Sequence, residues 1–332
     1  MSAVPGLLPL IERARDARAD LVQRLEREGT DCWRLFHGTT EGRPGLTIDR
    51  YGDLVLVQTF REALSPAEIE EIEGALDSRV VWNHRGKGVR QAFADFAPDD
   101  ELATREFVAR ENGVRYPIRA RHRGLDPWLF LDLRAGRRLL AGACAGKTVL
   151  NLFAYTGSAA VAALAHGARS ACNVDFARSS TEVARRSLEL NGLDPGALET
   201  IVEDFFPVVR QFAGLPVKGR ASARPHTRFE PRAFDVVFLD PPAFSRGAFG
   251  AVDVARDYAS LLKPALFALT PGGTLIATNH VAETSSESWR DCLERCAAKA
   301  GRPLASLELH VPDADFPSFD GRPPLKIAVL RV

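Results

Sequence analysis

A chain of 332 residues, 45% hydrophobic and 26% charged, has the make-up of a globular protein with room for two domains. Its formal net charge is zero, so no overall field draws it to a polyanion, and no uninterrupted apolar run reaches the ~18 residues of a membrane span. The N-terminal stretch MSAVPGLLPLIERARDARADL mixes acids with arginines and lacks the apolar core of a secretory leader. Scattered cysteines (Cys32, Cys144, Cys172, Cys292, Cys296) argue for a reducing, cytoplasmic setting rather than a disulfide framework.

In chain order, a charged helical stretch is expected over about 7–28. Strand-like runs follow: WRLFH (33–37), GLTIDRY (45–51), DLVLVQTF (53–60) and RVVWNH (79–84). Their spacing and turn residues predict a small α+β domain over residues 1–120, a candidate for substrate recognition. A basic strip comes next, with Arg110, Arg115, Arg119, Arg121, Arg123, Arg134, Arg137, Arg138 and Lys147 against Glu111, Asp126 and Asp132. It fits either a polyanion footprint or a plain solvated face.

Across residues 121–332 the pattern changes to alternating strand and helix. KTVLNLF (147–153) leads into a helix rich in small residues (156–168), then strand SACNVDFA (170–177) and helix STEVARRSLELNG (180–192), which ends at Gly192. LETIVED (198–204), FDVVFLD (234–240), GGTLIATNH (272–280) and PLKIAVLRV (324–332) read as further strands. This alternation predicts a parallel, doubly wound, Rossmann-like α/β sheet. An insert at 214–234 reads as a surface loop whose Lys218, Arg220, Arg224, Arg228 and Arg232 either meet phosphates or have no role.

The turn NLFAYTG carries neither G-x-G-x-x-G nor a phosphate loop. Gly157 beside bulky Phe153 and Tyr155 suits a nucleoside ligand without phosphates, of which S-adenosylmethionine is one. Asn151, Phe153, Tyr155 and Gly157 are candidate contacts there, with Gly157 letting the backbone approach the ligand. Asp175 ends the next strand, where an acid accepts both ribose hydroxyls. Asp204 is placed to take an adenine amino group, with Phe205 covering the ring. Asp240 ends the fourth strand, and Pro241 and Pro242 stop it outright.

The blocks LFLDLRAGRRLL (129–140), VLNLFAYTGSAAVAAL (149–164), NVD (173–175), EDFF (203–206) and FDVVFLDPPAFS (234–245) stand in a fixed order. With RLFHGTTEGRPGLTIDRYGD (34–53) and ENGVRYPI (111–118), they resemble the class I S-adenosylmethionine-dependent methyltransferases of bacterial large-subunit rRNA. The resemblance covers most of residues 33–332. It implies S-adenosylmethionine as cofactor, 23S rRNA or its large-subunit precursor as partner, no DNA, and a cofactor-positioning role for Asp132 and Arg134. A homodimer is left open. The chain departs from the pattern by showing no counterpart of the RNA-binding extension that many members carry, by its basic insert, and by the strand tip TLIATNHVAE. Members that methylate cytosine C5 carry cysteines at that tip.

C5 of cytosine reacts only after a thiolate adds to C6, and this chain offers Thr278, Asn279 and His280 instead. Cys292 and Cys296 fall in a helical stretch leading away. A base nitrogen is therefore the expected acceptor. Asp240 and the Pro241 carbonyl can accept hydrogens from an exocyclic amine, or a ring nitrogen such as N7 of guanine can react directly. Phe244 is the candidate stacking platform, and Asn279 and His280 are candidate base contacts, although a strand-ending Asn is also a common turn former. The alternatives are cytosine C5 methylation, a protein or small-molecule acceptor, and a catalytically silent binding module. A nicotinamide-dependent reductase is disfavoured by the missing glycine fingerprint.

Overall fold

A computed structural model describes residues 6–86, 101–122, 126–217, 224–323 and 325–332. Contacts divide the chain into two units, Met1–Leu131 with Asp313–Gly321, and Asp132–Pro312 with Arg322–Val332. The boundary expected at residue 120 therefore lies after Leu131. Residues past 120 stay with the first unit because Arg121 donates to Asn83 and to the Trp82 carbonyl, and the buried Tyr51 hydroxyl donates to the Leu129 carbonyl.

In the first unit, α1 (Leu7–Asp16) and α2 (Ala19–Arg27) replace the single helix expected over 7–28. The break falls at Arg18, whose guanidinium turns inward to the Ala14 and Asp315 carbonyls and pairs with Glu41. β1 (Cys32–His37), β2 (Leu46–Tyr51) and β3 (Leu54–Thr59) form an antiparallel meander. Helix α3 (Pro66–Leu76) then carries the chain to β4 (Val80–His84), which pairs parallel with β3. α3 starts where it does because Ser65 and Glu68 form a capping box around Pro66. After the short α4 (Glu101–Thr104), β5 (Phe107–Glu111) and β6 (Val114–Ile118) make a hairpin absent from the sequence reading. Its turn is Asn112–Gly113, both at positive φ.

The second unit runs α5 (Arg134–Ala143), β7 (Thr148–Leu152), α6 (Ser158–Ala165), β8 (Ser170–Asp175), α7 (Arg178–Asn191), β9 (Leu198–Val202) and α8 (Phe205–Phe212). It continues with β10 (Phe234–Leu239), the ribbon β11 (Phe244–Gly247) and β12 (Gly250–Asp253), and α9 (Tyr258–Phe267). β13 (Leu269–Asn279), α10 (Ser286–Lys299), β14 (Ser306–His310) and β15 (Lys326–Arg331) complete it. The seven-stranded sheet has the order β14-β15-β13-β10-β7-β8-β9. β13, β10, β7, β8 and β9 are parallel, whereas β15 is antiparallel to both its neighbours, so the sheet is mixed rather than wholly parallel. β10 reads as an apolar run broken only by Asp235, because it lies in the middle of the sheet with Val236–Leu239 fully buried. Strand order reverses between β7 and β10, which makes the carboxyl ends of these strands the switch point where ligands of such sheets bind. No helix among the described residues is long and apolar enough to cross a membrane.

Packing by itself requires glycine at position 157. At φ 73° it begins α6, and a Cβ there would lie 2.5 Å from Asn173 Nδ2 and 2.8 Å from Ala184 Cβ. Gly157→Ala is expected to lower unfolding free energy by about 2–4 kcal/mol, combining left-handed strain with overpacking. Urea denaturation measures this, and a loss below about 1 kcal/mol would show that the turn relaxes freely.

The basic strip is not one solvated face. Arg134 and Arg137 are buried, Arg110 pairs with Asp31, and Arg123 lies outside the described residues. Lys218 and Arg220 of the insert also lie outside them, while Arg224 and Arg228 are exposed. Arg232 is not free for phosphate. It pairs with Glu199 at 2.7 Å and covers the rings of Phe212 and Phe234 at 4.3 and 5.1 Å.

Candidate active site

The turn after β7 holds Phe153, Tyr155 and Gly157 at φ 59°, 49° and 73°. Two non-glycine residues at positive φ within one short turn store strain, which persists only where neighbours over-determine it. Those neighbours are visible. The Asp175 carboxylate accepts from the Tyr155 amide and from the Ala177 amide, both at 2.8 Å. The Ala154 amide donates to the Val174 carbonyl at 3.1 Å, and the Phe153 ring stacks on Phe205 at 4.6 Å. Burial pushes the Asp175 pKa up, against the backbone amides of Ala177, Tyr155 and Phe176 that favour its charged form. The residue behind it, Phe176, is 68% exposed. This aromatic ring left in water lies beside a half-buried carboxylate, just past the end of β8.

Several of the expected contacts have partners within the fold. Asn151 is buried and donates to the Asn173 side chain at 2.8 Å, a rung between β7 and β8. Phe205, expected to cover a ring, is buried because the first turn of α8 faces the sheet. Asp204 caps α8 by accepting from the Phe206 amide at 3.0 Å, and its other oxygen lies against Gly247 and Phe249 of the β11–β12 ribbon. Burial raises its pKa. Asp132 stands half-buried just ahead of α5, where its charge reaches His280.

The tip shared by β10 and β13 gathers the rest. Asp240 Oδ1 accepts from the Thr278 hydroxyl and lies 2.8 Å from His280 Nε2. The Thr278 carbonyl accepts from the buried Tyr258 hydroxyl at 2.8 Å. Burial, then the Asp240 charge, keep that phenol well above its usual range and so neutral. Burial alone would lower the His280 pKa, but Asp240, with Asp132 beyond, outweighs burial and the Lys326 charge and holds it at about 8. Tyr258 has no counterpart in the motifs of the sequence. Asn279 is fully buried, and its Oδ1 accepts from the Val281 amide in a local turn. Pro241 is buried, whereas Phe244 is 55% exposed, with the Arg246 guanidinium 5.6 Å from its ring centroid. Neither Cys292 nor Cys296 bonds to this cluster. Burial raises both thiols, Cys296 to about 11, so both stay protonated near neutrality.

The family of S-adenosylmethionine-dependent methyltransferases matches residues 33–331. The chain belongs to that family. Among curated relatives of this methyltransferase, Ribosomal RNA large subunit methyltransferase I of Klebsiella pneumoniae is 28% identical over 314 residues, covering 92% of this chain and 74% of that protein. The protein of the same name from Aeromonas salmonicida is 28% identical over 317 residues, with the same coverage. Among solved structures, SMU.776 crystallised with SAH superposes with a TM-score of 0.78 at 25% identity, over 98% of this chain and 80% of the other. A SAM-dependent methyltransferase from Agrobacterium tumefaciens shares the fold, with a TM-score of 0.62 at 19% identity over 91% and 90% of the two chains.

S-adenosylmethionine is the cofactor of the methyltransferase, and the residues present fit it. Each Asp175 oxygen holds one backbone amide, which leaves acceptor capacity for a ribose diol. The exposed Phe176 ring adjoins that carboxylate in the chain, and the turn offers no phosphate cradle.

Proposed function

We propose that this methyltransferase modifies a base nitrogen of 23S rRNA, rather than cytosine C5. The observation that carries the nitrogen assignment is the β13 tip. It sets Thr278 and His280 on Asp240 and brings no thiol to that carboxylate. The names of the relatives support large-subunit rRNA. So does the exposed pairing of Phe244 with Arg246, an aromatic ring and a cation of the kind that receives an unstacked base. In this reading the first unit recognises the substrate.

Asp175 holds the ribose hydroxyls and Phe176 covers the adenine. Phe153, Tyr155 and Gly157 shape the turn beneath the cofactor, and Asp132 and Arg134 brace its other side. The bound cofactor supplies a methyl group on a sulfonium, already a good leaving group. What remains for the protein is positioning: Phe244 stacks on the base, and Asp240 with the Pro241 carbonyl receives hydrogens of the acceptor nitrogen.

The test is tritiated methyl transfer from S-adenosylmethionine to total bacterial rRNA, followed by nucleoside analysis. Label in an N-methylated base is expected. Label in 5-methylcytosine would overturn the nitrogen assignment, and cofactor binding without label in any RNA would overturn the RNA assignment.

A further inference from the structure

His280 directly follows Asn279, the last residue of β13, with Nε2 2.8 Å from Asp240 Oδ1. The same oxygen receives the Thr278 hydroxyl, and Thr278 is fully buried and fixed through its carbonyl by Tyr258. Asp240 Oδ2 has no hydrogen bond among the described residues, although the side chain is only 18% exposed. One carboxylate oxygen is thus taken by the protein, and the other is left for a donor from outside. The geometry points to His280 as a positioning residue for methyl transfer: with Thr278 it turns Asp240 so that Oδ2, and not Oδ1, meets the acceptor, which confines the acceptor to a nitrogen that carries hydrogen.

This rests on the base-nitrogen reading and narrows it. A ring nitrogen with only a lone pair, such as N7 of guanine, would set that lone pair against an oxygen with nothing to donate. An exocyclic amine donates one hydrogen to Oδ2 and keeps its lone pair for the methyl carbon. In the step, the lone pair forms the new N–C bond as the methyl–sulfur bond breaks with its electron pair left on sulfur. The proton shed by the nitrogen passes to Oδ2. The charged groups around the imidazole are Asp240 just past β10, Asp132 ahead of α5 and Lys326 on β15, with the neutral Tyr258 of α9 behind Thr278. Together they leave the ring protonated at neutral pH, a donor at both nitrogens.

Two variants separate positioning from a merely structural role. His280→Gln keeps an N–H for Oδ1, whereas His280→Leu removes it. The glutamine variant should keep kcat within about threefold of wild type. The leucine variant should lose roughly 10- to 100-fold in kcat, the worth of a hydrogen bond to a charged group, with cofactor affinity and melting temperature unchanged. Equal losses in both variants, or none in leucine, would overturn the proposal, as would a product methylated at N7 of guanine. An arm that needs no RNA follows the His280 ring by NMR in the full chain. The ring should titrate near 8 in the wild type and lower in Asp240→Asn. Titration at the ordinary imidazole value, unmoved by Asp240→Asn, would sink the clamp whatever the substrate. A coupled titration in a protein that methylates no RNA would sink the rRNA reading and leave the clamp standing.

Discussion

Asp240→Ala is expected to lower the kcat of methyl transfer by roughly 10²- to 10⁴-fold, the range for removing a positioned proton acceptor. Cofactor affinity should change by less than about tenfold, because the ribose carboxylate lies on a different strand, at the end of β8. Asp240→Asn should be nearly as inactive despite its size. An asparagine carbonyl can still accept from Thr278 and His280, but its amide then presents N–H groups where the acceptor brings its own. Alanine also leaves the His280 imidazolium without its nearest counter-charge, so the His280 pKa should fall in that variant. Single-turnover transfer to rRNA, with calorimetry of cofactor binding, separates the two effects. A kcat within tenfold of wild type in both variants would leave Asp240 without a part in the chemistry.

What the sequence revealed follows from where burial imposes a pattern. β7, β8 and β10 are covered on both faces, so they appear as apolar runs, and the proline pair after Leu239 marks the end of β10. The β11–β12 ribbon escaped notice because Phe244, Ser245, Arg246 and Gly247 are mostly exposed and carry no alternation. The β5–β6 hairpin did leave a signal, Asn112–Gly113 between Glu111 and Val114, but its strands are only five residues each, and only β5 alternates buried and exposed positions throughout.

Site residues fared according to whether their partners are local. Asp175 and Asp240 could be placed from strand ends alone. Asn151 and Phe205 could not be assigned, because their environments depend on Asn173 across the sheet and Phe153 on another turn. The His280–Asp240 pair spans 40 residues and exists because β13 lies beside β10. Sheet order brings those two tips together, and no spacing within either segment encodes it.

Asp175→Ala should weaken S-adenosylmethionine binding by about 100-fold or more, since two hydrogen bonds from a diol to a charged acceptor each contribute ~1.5–3 kcal/mol. The loss has a second source. Asp175 anchors the Tyr155 amide, and the turn it anchors holds Phe153 and Tyr155 in the left-handed region, at about 1–2 kcal/mol each. Without the carboxylate the turn can relax, so amide exchange at Ala154–Gly157 should accelerate in the variant even with no cofactor present. Asp175→Asn tests the division between the two sources. It can still accept from one backbone amide but sets its own N–H groups against the other, so its turn should loosen less than in alanine while its affinity falls nearly as far. Calorimetry and hydrogen exchange on both variants read the two quantities separately. A dissociation constant within threefold of wild type would remove Asp175 from the ribose. Unchanged exchange would mean that the Phe153–Phe205 stack and the Ala154–Val174 bond alone maintain the turn.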